Sequence, residues 1–308
     1  MLLPQFPKFI KFNQIDKEEF QTITDQFPPY ADFHFATIWV YNAEDYVLIS
    51  SLNKNLVMKT KDYMTYQPFY TFIGTNDVSN TIKTLLAISE KESCMNTLQL
   101  IPEINVANDK NLFNEFLIEE DRDNFDYIYD LKKMSILEGS VYKKLRGWIN
   151  NLLKNYPEIY VEELNINDDK MKQKILNLFE IWETNKNITR EDSKDELTAI
   201  NRLLKDNSYF NLTLLGVSYK NELLGFSISE GLSKQYSIMH FVKANTNYKG
   251  IFQFIYKETA RILLKKGFTY LSREQDLGIP GLRQAKESWN PKFFLKKYTI
   301  SSKELEKY

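Results

Sequence analysis

The chain has 308 residues, with 40 Lys+Arg against 41 Asp+Glu, a formal charge of −1 and 43% apolar residues, the balance of a soluble globular protein with room for about two domains. One cysteine and two histidines exclude intramolecular disulfides, cysteine zinc sites, three-histidine metal centres and an HExxH helix, so no metal is expected. Ten glycines, none in a G-x-x-x-x-G-K-[ST] or G-x-G-x-x-G run, exclude the common nucleotide-binding loops.

In chain order, residues 18–25 read as a helix. Residues 35–41, 46–52, 57–63 and 69–73 are β-rich runs and are expected to be strands. Residues 78–90 follow as a helix, 97–101 as a strand, 108–116 as a helix and 125–131 as a strand. Residues 142–156 carry an apolar stripe of Tyr142, Leu145, Ile149, Leu152, Leu153 and Tyr156, the spacing of an amphipathic helix.

The second half is clearer. Residues 160–166 alternate as a strand does. Residues 170–185 hold Ile175, Leu178, Phe179 and Trp182 at helical spacing, and 192–206 do the same with Leu197, Ile200, Leu203 and Leu204. Strands are expected at 212–217, 223–229 and 236–243, the first two joined by the turn Lys220-Asn221-Glu222. A long helix spans 250–266 and ends at Gly267. A strand at 268–272, a helix at 280–289 that begins with Pro280, and a strand at 293–300 complete the pattern. The expectation is a mixed-sheet α/β (α+β) protein of two tandem domains, 1–139 and 140–308, joined by a helix over 141–156. No apolar run approaches the ~18 residues of a membrane helix. Pro4 and Pro7 interrupt the start and no small-residue cleavage signal follows. A cytoplasmic location is therefore expected.

Charge is uneven along the chain. Residues 101–130 carry nine acidic and two basic side chains, and residues 243–297 carry twelve basic and four acidic. The basic stretch is either a solvated face or the meeting place for an anion. With a net charge of −1 and no base-reading basic stripe, DNA is not expected as a partner.

The order β-α-α-β-β-β-α-β-α-β in the second half resembles the GNAT acyltransferase superfamily. In that fold the strand before the long helix splays from its neighbour and frees backbone groups. The tip of the helix then offers N–H groups to a pyrophosphate. The superfamily's glycine-rich Q/R-x-x-G-x-G/A is matched here by Asn247-Tyr248-Lys249-Gly250-Ile251-Phe252, with one glycine remaining. Three stretches are more specific: His240-Phe-Val-Lys243-Ala-Asn245, Lys249-Gly250-Ile251-Phe252-Gln253, and Arg273-Glu-Gln-Asp276-Leu-Gly-Ile-Pro-Gly-Leu-Arg283-Gln-Ala-Lys286. Together with DFHFATIW from Asp32, DYIYD from Asp126 and GSVYKKLRGWINNLLKNYP from Gly139, they resemble the stand-alone bacterial family that shares the C-terminal domain of phosphatidylglycerol lysyltransferase. Val242 stands where that family's pattern has an acidic residue, and Ser272 where it has Asn.

The resemblance implies an acyl- or aminoacyl-transferase. The donor would be acyl-CoA or an aminoacyl-tRNA, and the acceptor an amine or hydroxyl of a small molecule or lipid headgroup. The alternative is a non-catalytic module that binds CoA or another phosphorylated ligand. Glu274 or Asp276 would take or orient a proton, or else Asp276 caps the following helix and Arg273 pairs internally. His240 would act as a base or contact the acyl group, or is a satisfied core histidine. Tyr248 would protonate the leaving group, or simply packs. Lys243, Asn245, Asn247, Lys249, Gly250 and Ile251 would hold the carrier's phosphates, with Arg273, Arg283 and Lys286 as further cations.

Overall fold

The computed structural model describes residues 3–232 and 235–303. The chain divides into two compact units, one of Met1–Asp126, Gln275–Ile279 and Leu295–Tyr308, the other of Tyr127–Glu274 and Pro280–Phe294.

The first unit opens with β1 (Ile10–Lys11), α1 (Lys17–Thr24), α2 (Phe35–Tyr41), β2 (Leu48–Leu52), β3 (Asn55–Lys61) and β4 (Pro68–Ile73). Asp16 starts α1 by accepting from the Glu18 N–H at 2.8 Å. The four strands form one antiparallel sheet in the order β1-β2-β3-β4. Asn53 and Lys54 both adopt positive φ in the β2–β3 turn, as a two-residue hairpin requires. Next come α3 (Val78–Lys91), β5 (Leu98–Pro102), the one-turn helices α4 (Glu103–Val106) and α5 (Leu112–Glu115), and β6 (Phe116–Glu120).

Two expectations for this unit are corrected. Residues 35–41 form a helix, not a strand. Phe35, Ala36, Thr37, Ile38 and Val40 are all buried, so no polar face marks the helical period, and the aromatic and β-branched composition imitates a strand. Residues 108–116 are not one helix: a turn of helix at α5 leads straight into β6. That strand exists because a partner from the end of the chain pairs with it.

The second unit begins with β7 (Asp126–Asp130), α6 (Leu131–Ile136), α7 (Lys143–Asn155), β8 (Tyr160–Glu163), α8 (Asp169–Lys186) and α9 (Arg190–Lys205). Asp168 and Thr189 cap α8 and α9, and Asn187 ends α8 in the left-handed conformation. Then follow β9 (Leu212–Tyr219), β10 (Glu222–Gly231), β11 (Tyr236–Ala244), α10 (Ile251–Lys265), β12 (Tyr270–Ser272), α11 (Pro280–Glu287) and β13 (Phe293–Leu295). The seven-stranded sheet runs β13-β7-β12-β11-β10-β9-β8. The β11–β12 pair is parallel. Along the core, α10 lays Ile251, Ile255 and Leu263 against Leu145, Ile149 and Leu152 of α7 and against Leu215, Met239 and Leu271 of the sheet. Removing methylenes here carries a cavity cost.

The run 293–300, expected as one strand, divides at Lys296. After it comes β14 (Lys297–Ser302), which lies between β5 and β6 in the first unit's three-stranded sheet. In return β7, from the first half of the sequence, pairs with β12 in the second unit. The expected boundary near residue 140 therefore falls inside the second unit. Local patterns along a chain carry no record of which distant strand fills a sheet position.

A buried ionic cluster pins β14 in the first unit. Lys297 is fully buried, its ammonium 3.0 Å from Asp126 and also paired with Asp32. The other oxygen of Asp126 accepts from the Ala31 N–H at 3.0 Å. Burial works against the Lys297 ammonium, but Asp126 and Asp32 outweigh it and hold the group above the usual lysine range. Burial pushes the Asp126 carboxyl up to about 7, against the pull of Lys297. Two carboxylates share one lysine, so Asp126 keeps its proton into neutral pH. This shift raises the folded-state value above the ordinary 3.8. Its contribution to stability is thus complete below that value and is lost as pH rises to about 7. The melting temperature of the wild type relative to Asp126→Asn is expected to fall between pH 4 and 7 and to level off above. A difference that is flat across this window would contradict the assignment.

Candidate functional site

The site forms where two parallel strands part. β11 and β12 pair over Tyr236–Tyr270, Ser237–Leu271 and Ile238–Ser272. β11 then continues to Ala244, whereas the chain beyond Ser272 leaves the sheet. Glu274 stands just after this point with φ +55°, a conformation that costs a long side chain energy and recurs at functional positions. Two backbone bonds to β7 hold the turn: the Arg273 N–H donates to the Tyr127 carbonyl at 3.0 Å, and the Tyr127 N–H donates to the Glu274 carbonyl at 3.2 Å.

The β10–β11 register slips at Ile228/Ser229: Ile228 faces Phe241 and Ser229 faces Met239, leaving His240 as the extra residue. The bulge places the imidazole between two carboxylates. Its Nε2 lies 3.2 Å from Glu230 Oε2 and its Nδ1 3.9 Å from Glu274 Oε1. The His240 and Glu230 side chains are 2% exposed, and Glu274 is 22% exposed. Only the Glu274 end of the array reaches solvent. Glu274 can accept a proton from an acceptor group, and the ring behind it can relay or hold charge.

Arg273 lies on the same turn. Its guanidinium sits 3.7 Å over the Tyr256 ring of α10 and 5.3 Å from the Tyr129 ring of β7. Burial holds the Tyr129 phenol above its usual range, while the Arg273 charge pulls it down. The Tyr129 hydroxyl donates to the Lys286 carbonyl at 2.8 Å. Lys286, expected to hold a carrier phosphate or to lie on a solvated basic face, is buried and donates its ammonium to the Arg273 carbonyl, bracing the turn that carries Glu274. Asp276 is fully buried in the first unit, where it pairs with Arg122 at 3.2 Å and accepts from the Gly278 N–H at 2.9 Å. Its carboxylate serves that turn. Arg283 lies on α11.

The expected phosphate loop is arranged differently. Asn245 accepts from the Asn247 N–H and from the Asn185 amide, and its own carbonyl accepts from the Tyr248 N–H. Asn247 and Lys249 are exposed. Tyr248 packs on Tyr156 at 4.8 Å, and burial raises its phenol. Lys243 does not reach the loop: it pairs with Glu196 of α9 at 2.6 Å and lies 3.7 Å over Trp182 of α8. Burial holds its ammonium below the usual lysine range, against the pull of Glu196. Gly250, at φ +95°, and Ile251 are buried. A Cβ on Gly250 would stand 2.4 Å from the Trp148 carbonyl oxygen of α7. Gly250→Ala is therefore expected to destabilise the chain by about 2 kcal/mol or more, read as a lowered urea midpoint.

Sequence reasoning missed Glu230 and the two tyrosines that flank Arg273. A signal for Glu230 was present: a carboxylate ends the apolar run from Leu223 to Ser229, and such a charge needs a partner if the run is buried.

A split parallel pair, a bulged strand before the gap and a long helix after it define the GNAT-like acyltransferase fold. A sequence profile for phosphatidylglycerol lysyltransferase, C-terminal, matches residues 24–301, and the chain belongs to that family. A crystal structure of a conserved protein of unknown function from Bacteroides thetaiotaomicron superposes with a TM-score of 0.81 at 24% identity, covering 98% of this chain and all (100%) of that one. The structure of L-PGS from Bacillus licheniformis superposes at 0.61 and 14% identity, covering 99% of this chain and 95% of that one. An uncharacterised protein of Mycoplasmoides gallisepticum is 24% identical over 192 residues, 62% of this chain; the match spans 60% of that relative's length. Family and fold point to acyltransferase-like chemistry. Among the described residues no helix is long and apolar enough to cross a membrane.

Proposed function

We propose that the chain transfers an aminoacyl group from an activated ester to a hydroxyl or amine, with Glu274 as the general base. The observation that carries this reading is the Glu274–His240–Glu230 array at the split between β11 and β12. The acceptor gives its proton to the Glu274 carboxylate and its lone pair to the carbonyl carbon of the donor ester. The carbonyl π electrons move to oxygen and form a tetrahedral oxyanion. Collapse breaks the ester C–O bond, and the departing carrier oxygen takes the proton back from Glu274.

The donor is an aminoacyl-tRNA ester and the acceptor a lipid headgroup hydroxyl, as the family's name suggests. The packing of Gly250 against α7 supports a carrier other than CoA, because a CoA pyrophosphate needs an open helix tip. The test incubates purified chain with radiolabelled aminoacyl-tRNA or acyl-CoA and with phosphatidylglycerol vesicles or free amines. Label moving into lipid from the tRNA arm alone supports the reading. Movement from acyl-CoA alone replaces the donor, and no transfer in any arm removes the activity.

Val242 favours a second reading, a non-catalytic binding module. It is half-buried and packs against the core of the second unit, and so offers no proton acceptor of its own. Under this reading CoA or tRNA binds without turnover.

A further inference from the structure

We infer that the buried guanidinium of Arg273 is a seat for a small oxyanion, a phosphate or carboxylate group of a bound ligand. The inference deepens the transfer reading and rests on it for the ligand's place in a reaction. Arg273 is 6% exposed. Its Nη1 is buried with no hydrogen-bond partner, and among the described residues no carboxylate lies within ion-pair distance of the group. The other buried cations are satisfied. Lys243 has Glu196, Lys297 has two aspartates, and Lys286 has the Arg273 carbonyl.

A buried charge without a counter-ion is strongly unfavourable. Stacking on Tyr256 and Tyr129 engages the face of the guanidinium and leaves its edge at the buried Nη1 unanswered. That planar edge matches an oxyanion, which accepts two parallel N–H bonds. The seat is small: one guanidinium between two rings serves a single anionic group, whereas a polymer backbone is met by rows of exposed cations. It lies one residue from Glu274, on the turn that the β11–β12 split leaves outside the sheet.

The test measures thermal unfolding of the full chain by intrinsic fluorescence. Sodium pyrophosphate and sodium acetate are each compared with sodium chloride at matched ionic strength, for the wild type, Arg273→Met and Arg273→Lys. The wild type is expected to gain about 4 °C with one of the two oxyanions at saturation. Which anion acts decides between a phosphate and a carboxylate ligand. Arg273→Met is expected to lose that gain and, without anion, to melt no lower than the wild type, because an uncompensated charge has been removed. Arg273→Lys, which keeps the charge without the fork, is expected to need at least tenfold more anion (on the order of 1.4 kcal/mol). The inference fails if the wild type responds to neither oxyanion, as when only solvent meets the guanidinium. It also fails if either variant responds at the same anion concentration as the wild type. An anion response without transfer in the assay above removes the transfer reading and leaves the seat. Transfer without an anion response removes the seat alone.

Discussion

Replacing Lys297 by Met is expected to destabilise the chain by about 3–5 kcal/mol, enough to leave much of it unfolded given total stabilities of about 5–15 kcal/mol. The substitution keeps the length and apolar body of the side chain, so packing changes little. It strands Asp126 and Asp32, both buried and both facing the lost ammonium. Asp126 already holds its proton to about pH 7, so the variant is expected to be least stable in alkaline buffer. Adding Asp32→Asn and Asp126→Asn removes the stranded charges and is expected to recover most of the loss. Urea midpoints of the single and triple variants check this. Equal midpoints would show that the loss comes from packing of β14 and not from charge.

Glu274→Gln is expected to lower the transfer rate by about 10²–10⁴-fold, the usual worth of a positioned general base, with the melting temperature unchanged. The amide has the same shape and reaches the same solvent, but it cannot take a proton from the acceptor. Glu230→Gln is expected to cost less, since Glu230 meets the array through the His240 ring, 3.2 Å away, and not at its solvent end. Because Glu230 acts through the ring, its signature is a shift in the pH–rate profile and not a loss of binding. Full activity in Glu274→Gln would move the base elsewhere, and a matching fall in melting temperature would make the carboxylate structural.

The second half of the chain was legible because its helices are long and carry apolar residues at helical spacing. The turn expected at Lys220-Asn221-Glu222 joins β9 to β10, with Lys220 and Asn221 at positive φ. The first half resisted for the opposite reason. α2 is buried on nearly every side, and α5 is a single turn before β6. At the site, Glu274 and Arg273 were visible as polar residues after a strand. Their different environments were not. Sequence could not show that Asp276, two residues from Glu274, is spent on Arg122 and Gly278, or that Lys286 braces a carbonyl. The first of these roles depends on a pairing across 154 residues, between Arg122 and Asp276.

The exchange of β7 and β14 bears on how the chain is made. A fragment ending at residue 139 would lack the middle strand of its three-stranded sheet and carry β7 with no partner beside it. The first unit is therefore completed only after residues 297–302 have left the ribosome, so the earliest-made segment is among the last to be sealed. Rescue of one fragment by the other, when the two are co-expressed, is the outcome expected from that order.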